Sequence, residues 1–286
     1  MTTAGRRYVV GYSGDKRSKD ALRLGVALAR ASRGELELVH VVRTDDPFQP
    51  VYPPVGDVTP IIRRQARTRL EEAARTVPSD VVARTHVREH ESVAAGLVAA
   101  AEELGAGLVV VGAGGGAGRF AVGPVVGALL HSSTVPVALA PRRYRGDAPL
   151  TRLYAAVGTR PGAHLVIDEA LAAVERSGLE LVLISFLSGE DGEDDGAARR
   201  AVQEHLERAA AEARRHQPVT VHVAAGRTLK QAVRDVDWVP GGLLLIGSSR
   251  LARGRQTFLG TTAARLLKHI PVPMVVVPRP ARTEEN

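Results

Sequence analysis

The sequence predicts an α/β protein made of two successive domains, each with a five-stranded parallel sheet and helices on both of its faces. The first observation is an internal repeat, because "ALLHSSTVPVALAPR" (128–142) resembles "RLLKHIPVPMVVVPR" (265–279), and "GAGLVVVGAG" (105–114) matches "PGGLLLIGSS" (240–249). The second is that predicted strands and helices alternate in the same order in both copies, as in parallel βαβ units. The third is that strands such as "GLVVVG" are apolar throughout, which is typical of strands buried on both faces.

The first copy opens with the strand "RRYVVGYSG" and a helix for which Ser18 is the candidate N-cap and Gly34 the end. The strand "ELELVHVV" and a proline-rich segment follow. An alternation of amphipathic and apolar stretches then predicts the remaining elements before "GLVVVG". These are a helix near 59–77, a strand at 80–87 and a helix near 92–104.

The second copy repeats this order, from the strand "TRLYAAVGT" through a helix that ends at Gly178 to the strand "LELVLISF". A helix near 196–216, a strand at 219–224 and a helix near 227–237 come before "GLLLIG". The two copies meet in "PRRYRGDAPLTR", which is short, charged and flanked by proline. We therefore expect one domain over residues 1–146 and a second over residues 147–286.

Composition excludes several classes of function. The chain has 286 residues and no cysteine, so it contains neither disulfides nor cysteine-based zinc sites. No apolar run approaches the ~18 residues that a membrane span needs, and we expect a cytoplasmic protein without a membrane partner. The net charge is +7, but the arginines are mixed with glutamates and only 3% of residues are aromatic, which argues against a nucleic-acid partner.

Each copy contains a strand, a glycine-containing loop, a helix that ends in Leu-Leu and a V-P-V-apolar-P segment, in that order. This order of features resembles the universal stress protein family, present here as two tandem copies. "LGTTAARLLKHIPVPMVVVP" is the most specific stretch. The resemblance implies the fold given above and a non-catalytic stress-response regulator that binds ATP or another adenine nucleotide, with Mg²⁺ accompanying it. It also implies self-association through the last strands, 136–140 and 273–277, within the chain or in a homodimer, and an unknown protein partner.

In the ATP-binding branch of the family the loop after the fourth strand reads G-x2-G-x9-G-[S/T]. The first copy has Gly112 and Gly115, but its next glycine, Gly123, follows after seven residues, and Pro124 stands at the hydroxyl position. The acidic position after the first strand is occupied by Ser13. The resemblance also assigns apolar or main-chain contacts in this copy, at Val41, Val111 and Val125.

The second copy departs from the pattern differently. Gly247 is present and Arg250 replaces the second glycine, but the spacing to Gly260 is correct, and Thr261 and Thr262 supply hydroxyls. Arg250 is itself a candidate phosphate ligand. Glycines allow a phosphate to approach the main chain closely, and a following helix N-terminus offers free N–H groups. Each copy therefore keeps part of a nucleotide site.

Two alternatives stay open because neither motif is complete. One is an interaction module that has lost its nucleotide and acts through dimerisation. The other is a weak nucleotide hydrolase. We find no G-x-x-x-x-G-K-[ST], G-x-S-x-G or H-E-x-x-H motif and no catalytic constellation. His40, inside a strand, is predicted to be a core histidine.

Overall fold

The computed structural model describes residues 6–44, 59–113, 120, 122–158, 163–189, 195–214, 218–248 and 261–278, and this part of the chain forms ten strands and eight α-helices. The elements of the first half are β1 (Arg7–Gly11), α1 (Lys16–Ser32), β2 (Glu35–Arg43), α2 (Thr59–Arg75), β3 (Ala83–His90), α3 (Val93–Glu103), β4 (Ala106–Gly112), α4 (Pro124–Ser132) and β5 (Val137–Ala140). Those of the second half are β6 (Arg152–Ala156), α5 (Ala163–Ser177), β7 (Glu180–Ser188), α6 (Asp195–Ala213), β8 (Val219–Gly226), α7 (Leu229–Arg234), β9 (Gly242–Gly247), α8 (Thr261–Leu266) and β10 (Met274–Val277). Strands and helices alternate within each half, and β5 of the first half is followed directly by β6 of the second.

The strands form one sheet in the order β3-β2-β1-β4-β5-β10-β9-β6-β7-β8. Within each half the neighbours are parallel, so the predicted fold class is confirmed. The two halves join where β5 and β10 pair antiparallel, with Ala138 opposite Val275. Because each of these strands would otherwise present unpaired main-chain groups at a sheet edge, their pairing closes both edges within the chain.

Two apolar layers cover the two faces of this sheet. One lies under α1, α2, α5 and α6 and contains Leu24, Leu70, Val174 and Leu206. The other lies under α3, α4, α7 and α8 and contains Leu97, Leu129, Val233 and Leu266. Each layer includes residues of both halves, so apolar packing continues across the junction of β5 and β10.

Helix α1 positions the chain at the carboxyl end of β1, and it begins differently from the prediction. The N-cap is Asp15, whose side chain accepts the N–H of Ser18 at 2.8 Å. The assignment of Ser18 as N-cap was wrong because the helix begins three residues earlier, where Asp15 accepts an orphan N–H group of the first turn. At the other end, Arg33 takes a left-handed φ of 53° ahead of Gly34.

Candidate functional site

In each half, the strand order identifies one position at the carboxyl ends of the strands where a ligand could bind. Strand β1 lies between β2 and β4, so the connections that leave β1 and β4 pass to opposite faces of the sheet. Open parallel sheets bind ligands at the carboxyl ends of the strands beside such a switch point. In the first half these ends are Gly11 and Gly112, and in the second half Gly247 is the end of β9.

Gly112 brings the end of β4 directly onto the first turn of α1. A Cβ atom at this position would lie 2.1 Å from the carbonyl oxygen of Arg17 and 2.5 Å from its carbonyl carbon. The neighbour is main chain and cannot rotate away, so the position requires glycine. Gly247 is similarly close-packed, since a Cβ there would lie 2.7 Å from Cγ2 of Val166 on α5.

The residues after β1 provide no carboxylate for a ligand. Ser13 is exposed, in the place where the family motif has an acid. Asp15 follows, but its carboxylate caps α1 and accepts from Nε of Arg17 at 3.0 Å. Burial by itself would raise the pKa of Asp15, but the N–H of Ser18 and the Arg17 guanidinium outweigh it and lower the pKa. The ionised carboxylate is therefore engaged in holding the helix start.

The three valines implied by the resemblance fall in two environments. Val41 is 9% exposed and packs against Gly96 of α3, where an added Cβ would lie 2.8 Å from its Cγ1 atom. Val111 is also buried, beside Gly11 of β1. Only the main chain of these two could contact a ligand. Val125, in contrast, is 37% exposed in the first turn of α4.

Helix α4 starts without a side-chain cap. Gly123 is the N-cap, with φ −81° and ψ 173°, and Pro124 occupies the first helical position. Gly123 has no side chain that could accept from the N–H groups of the first turn, and Pro124 has no N–H of its own. An uncapped helix start carries donors and the positive end of the helix dipole, which together favour an anion.

Several of the sequence-predicted positions lie beyond what the structure describes. Gly115, Arg250 and Gly260 are outside the described residues. Thr261 begins helix α8 and Thr262 follows it, but only their main chain is described. The structure therefore places Ser13 and Gly112 just after β1 and at the end of the neighbouring β4, and Gly123 and Val125 at the start of α4. Their assembly into one site, like that of the second half, stays a prediction.

Sequence reasoning did not single out Tyr12, whose carbonyl marks the end of β1. Nδ1 of His40 lies 2.8 Å from this oxygen. A carbonyl can only accept, so Nδ1 carries the hydrogen. Burial lowers the pKa of His40, and this outweighs the hydrogen bond to Tyr12, which raises it; the charge of Arg69 also lowers it. His40 is partly rather than fully buried, so the predicted core position was too deep, and its ring holds the first turn after β1 in place.

Two searches of the described residues gave negative results. No group of three or more histidine, cysteine, aspartate or glutamate side chains is placed to hold a metal ion. Among the described helices, none combines the length and the apolar character needed to cross a membrane.

The sequence model of the universal stress protein family matches the chain twice, over residues 5–141 and 150–278. The chain belongs to the universal stress protein family. Universal stress proteins of Mycobacterium tuberculosis (strain H37Rv) and Mycobacterium bovis are each 30% identical to it over 94% of this chain and 99% of their own length. This agreement along almost the full length of both chains shows a tandem universal stress protein.

Solved structures show the same fold at lower identity. A universal stress protein from Archaeoglobus fulgidus superposes with a TM-score of 0.69 at 18% identity, over 95% of this chain and 97% of its own. A functionally unknown protein from Pseudomonas aeruginosa gives a TM-score of 0.58 at 18% identity, over 96% and 92%. The tandem universal stress protein architecture is thus found in experimental structures across nearly the whole chain.

Proposed function

We propose that this universal stress protein is a non-catalytic regulator that binds an adenine nucleotide, such as ATP, at the carboxyl ends of β1 and β4 in its first half. The observation that carries the proposal is the uncapped start of α4, at Gly123 and Pro124, which follows a strand end that is restricted to glycine at Gly112. Main-chain N–H groups at a helix start bind phosphate without needing a basic side chain. Pro124 therefore removes both the hydroxyl and one N–H donor, and the proposed site rests on the remaining main-chain N–H groups of the first turn.

In this proposal each group has a defined role. The first-turn N–H groups of α4 hold phosphate oxygens, and the main chain beside Val41 and Val111 contacts the base and sugar. Mg²⁺ would be bound through the phosphates, since Mg²⁺ in nucleotide sites retains waters and uses few protein ligands. Bound nucleotide would favour one conformation or partner through its differential affinity, which is a regulatory rather than a catalytic use.

The first test is to purify the protein without added nucleotide, denature it and separate the supernatant by ion exchange against adenine nucleotide standards, followed by calorimetric titration with Mg²⁺ and ATP. We expect one adenine nucleotide site per chain from the first half, and two if the set Gly247, Arg250, Gly260, Thr261 and Thr262 also binds. An empty extract together with no heat of binding would overturn the proposal.

The variant Val125→Glu separates binding from folding. An acidic side chain in the first turn of α4 complements the helix dipole and stabilises the helix by about 0.3–1 kcal/mol, but it repels phosphate. We expect ATP affinity to fall about tenfold or more while thermal stability is kept. Val82→Glu is the matched control, because Val82 is 50% exposed at a distance from the switch point. Equal ATP affinity in Val125→Glu and wild type would contradict the assignment.

A second candidate function is that of an interaction module without nucleotide. It is favoured by two exposed apolar side chains at the start of α4, since Val122 is 47% and Val125 37% exposed. Such a module would bury these side chains against a partner or a second copy. If the protein binds no nucleotide but elutes as a dimer, and Val125→Glu converts the dimer to a monomer, the interaction module is the better description.

A further inference from the structure

A cleft of about 860 Å³ lies between the first turns of α1 and the segment that links the two halves, residues 141–147. Seven of the ten residues that line it are basic and two are acidic. Five of the basic side chains are exposed and form no ion pair within the part of the chain that the structure describes; they are Lys16, Lys19, Arg142, Arg143 and Arg145. None of the residues assigned to the nucleotide site lines this cleft.

A buried carboxylate on α1 anchors the linker that forms one wall of the cleft. Asp20, on α1, is 5% exposed, and its Oδ2 accepts the main-chain N–H of Arg143 at 2.8 Å. Its Oδ1 accepts from Nη1 of Arg23 at 2.9 Å, and the same Nη1 donates to the carbonyl of Tyr144 at 3.4 Å. Asp20 therefore anchors the main chain of the linker, and among the described residues its ion pair is with Arg23 and not with the arginines of the linker.

The linker adopts a specific conformation rather than crossing the surface loosely. The N–H of Tyr144 donates to the carbonyl of Pro141 at 3.0 Å, which closes a turn. Arg143 has a φ of 61°, in the left-handed region that side chains other than glycine rarely occupy. Such a conformation persists where surrounding contacts fix it, and here Asp20 supplies the contact. Three arginines of one short segment are thereby presented beside the lysines of α1.

Concentrating like charges in a concave surface is unfavourable unless an anion neutralises them, and it raises the local concentration of anions. A guanidinium group donates two parallel hydrogen bonds to phosphate oxygens. A compound with several phosphate groups could bind several guanidinium groups at once, whereas one carboxylate could pair with only one of these groups. The volume is in the range of small-molecule sites, about 300–1,000 Å³. We propose that this cleft binds a small multivalent phosphate compound, at a site distinct from the proposed nucleotide site.

The test uses inorganic tripolyphosphate as the probe, titrated by calorimetry into the full-length protein at low ionic strength. We expect one site per chain, with orthophosphate binding more weakly. Arg142→Ala with Arg145→Ala should weaken tripolyphosphate binding about tenfold or more, because each lost guanidinium removes charge-assisted hydrogen bonds to phosphate. The matched control is Arg199→Ala with Arg200→Ala, which removes two adjacent exposed arginines from α6 and should leave the affinity unchanged.

Asp20→Glu tests whether the anchored linker shapes the cleft. It keeps all seven cationic side chains and the negative charge but displaces the carboxylate that anchors the linker, so tripolyphosphate affinity should also fall, with folding checked by circular dichroism. The proposal is overturned if tripolyphosphate does not bind, if the α6 control loses as much affinity as the linker variant, or if Asp20→Glu binds like wild type. Tighter binding of a single-stranded oligonucleotide, lost in the same linker variant, would overturn the small-molecule assignment.

The same variants separate this inference from the proposed nucleotide function. Val125→Glu should leave tripolyphosphate binding in the cleft intact, and the Arg142 and Arg145 variant should leave the site at α4 intact. If the linker variant abolished all nucleotide binding and Val125→Glu had no effect, the cleft itself would be the nucleotide site and the assignment to α4 would be wrong.

Discussion

Replacing Gly112 by alanine tests whether the end of β4 is fixed by contact with α1. The added Cβ would lie 2.1 Å from the carbonyl oxygen of Arg17, a main-chain atom in the first turn of the helix. Either α1 or β4 must shift to relieve the overlap. Overpacking of this kind costs about 1–3 kcal/mol, and we expect Gly112→Ala to reach the upper end because no side-chain rotation helps.

Gly127→Ala is the matched control in the same half. Gly127 lies inside α4, and a Cβ there would have its nearest contact at 3.5 Å, to Cγ1 of Val122. Alanine should therefore fit, and it should stabilise the helix by up to about 1 kcal/mol. Thermal and urea unfolding followed by circular dichroism would measure both variants, with a shift of about 2–4 °C for each kcal/mol. If Gly112→Ala matched wild type, the close approach of β4 to α1 would be refuted.

Three further outcomes are expected. Because the folded-state pKa of His40 is lowered, the unfolded chain binds the proton first as the pH falls, so stability is full above the unfolded pKa of about 6.5 and declines below it. His40→Asn, whose amide can replace the Nδ1 donor to Tyr12, should show a smaller decline in urea midpoint between pH 8 and 5. An unchanged decline would assign it to other groups. The hydroxyl of Tyr154 donates to the carbonyl of Asp237 at 2.6 Å. Tyr154→Phe should therefore lower the free energy of unfolding, measured in urea, by about 1–3 kcal/mol. A free energy equal to that of wild type within error would refute a stabilising role for this hydrogen bond. Val276 is fully buried in the junction of β5 and β10. Val276→Asp should therefore lower the unfolding temperature and make the two halves unfold in separate calorimetric transitions. A single transition at the wild-type temperature would contradict the shared core.

The proximity of the two proposed sites has a structural basis. Arg17 contributes its carbonyl oxygen to the contact with Gly112 and its side chain to the lining of the basic cleft. A phosphate compound in the cleft would therefore act on the same turn of α1 that supports the end of β4. Calorimetric titration of ATP with and without saturating tripolyphosphate should be made in wild type and in the Arg142→Ala with Arg145→Ala variant. Coupling between the sites, which must be reciprocal, requires the cleft and is lost in the variant, whereas direct competition at α4 is kept.

The order and type of the elements could be predicted from the sequence because these follow from local pattern. The apolar runs of β4 and β9, the helical periodicity and the repeated V-P-V ending all lie within short stretches, and each was found in the structure at or near its predicted place. The start of α1 was misassigned because Asp15 and Ser18 are both good N-cap residues. Which of them caps the helix depends on main-chain geometry that composition does not give.

The candidate site could be predicted only in part. Motif spacing pointed to Gly112 and Gly123, which lie at the end of β4 and at the start of α4, but the structure also shows that the side chains of Val41 and Val111 are directed into the core. Burial of alternate strand residues depends on which helix covers each face, and a single strand sequence does not specify this.

The sequence by itself determined the family, the two-copy organisation and the α/β fold, since local patterns and motif spacing carry that information. The resemblance also pointed to the last strands as the place of association, but only the tertiary structure decided that β5 and β10 pair antiparallel within one chain, and that a basic cleft lies at the linker. The cleft depends on the bond between Asp20 and Arg143, which are 123 residues apart. Contacts at such separation form only when the whole sheet is assembled, so no local pattern in the chain predicts them.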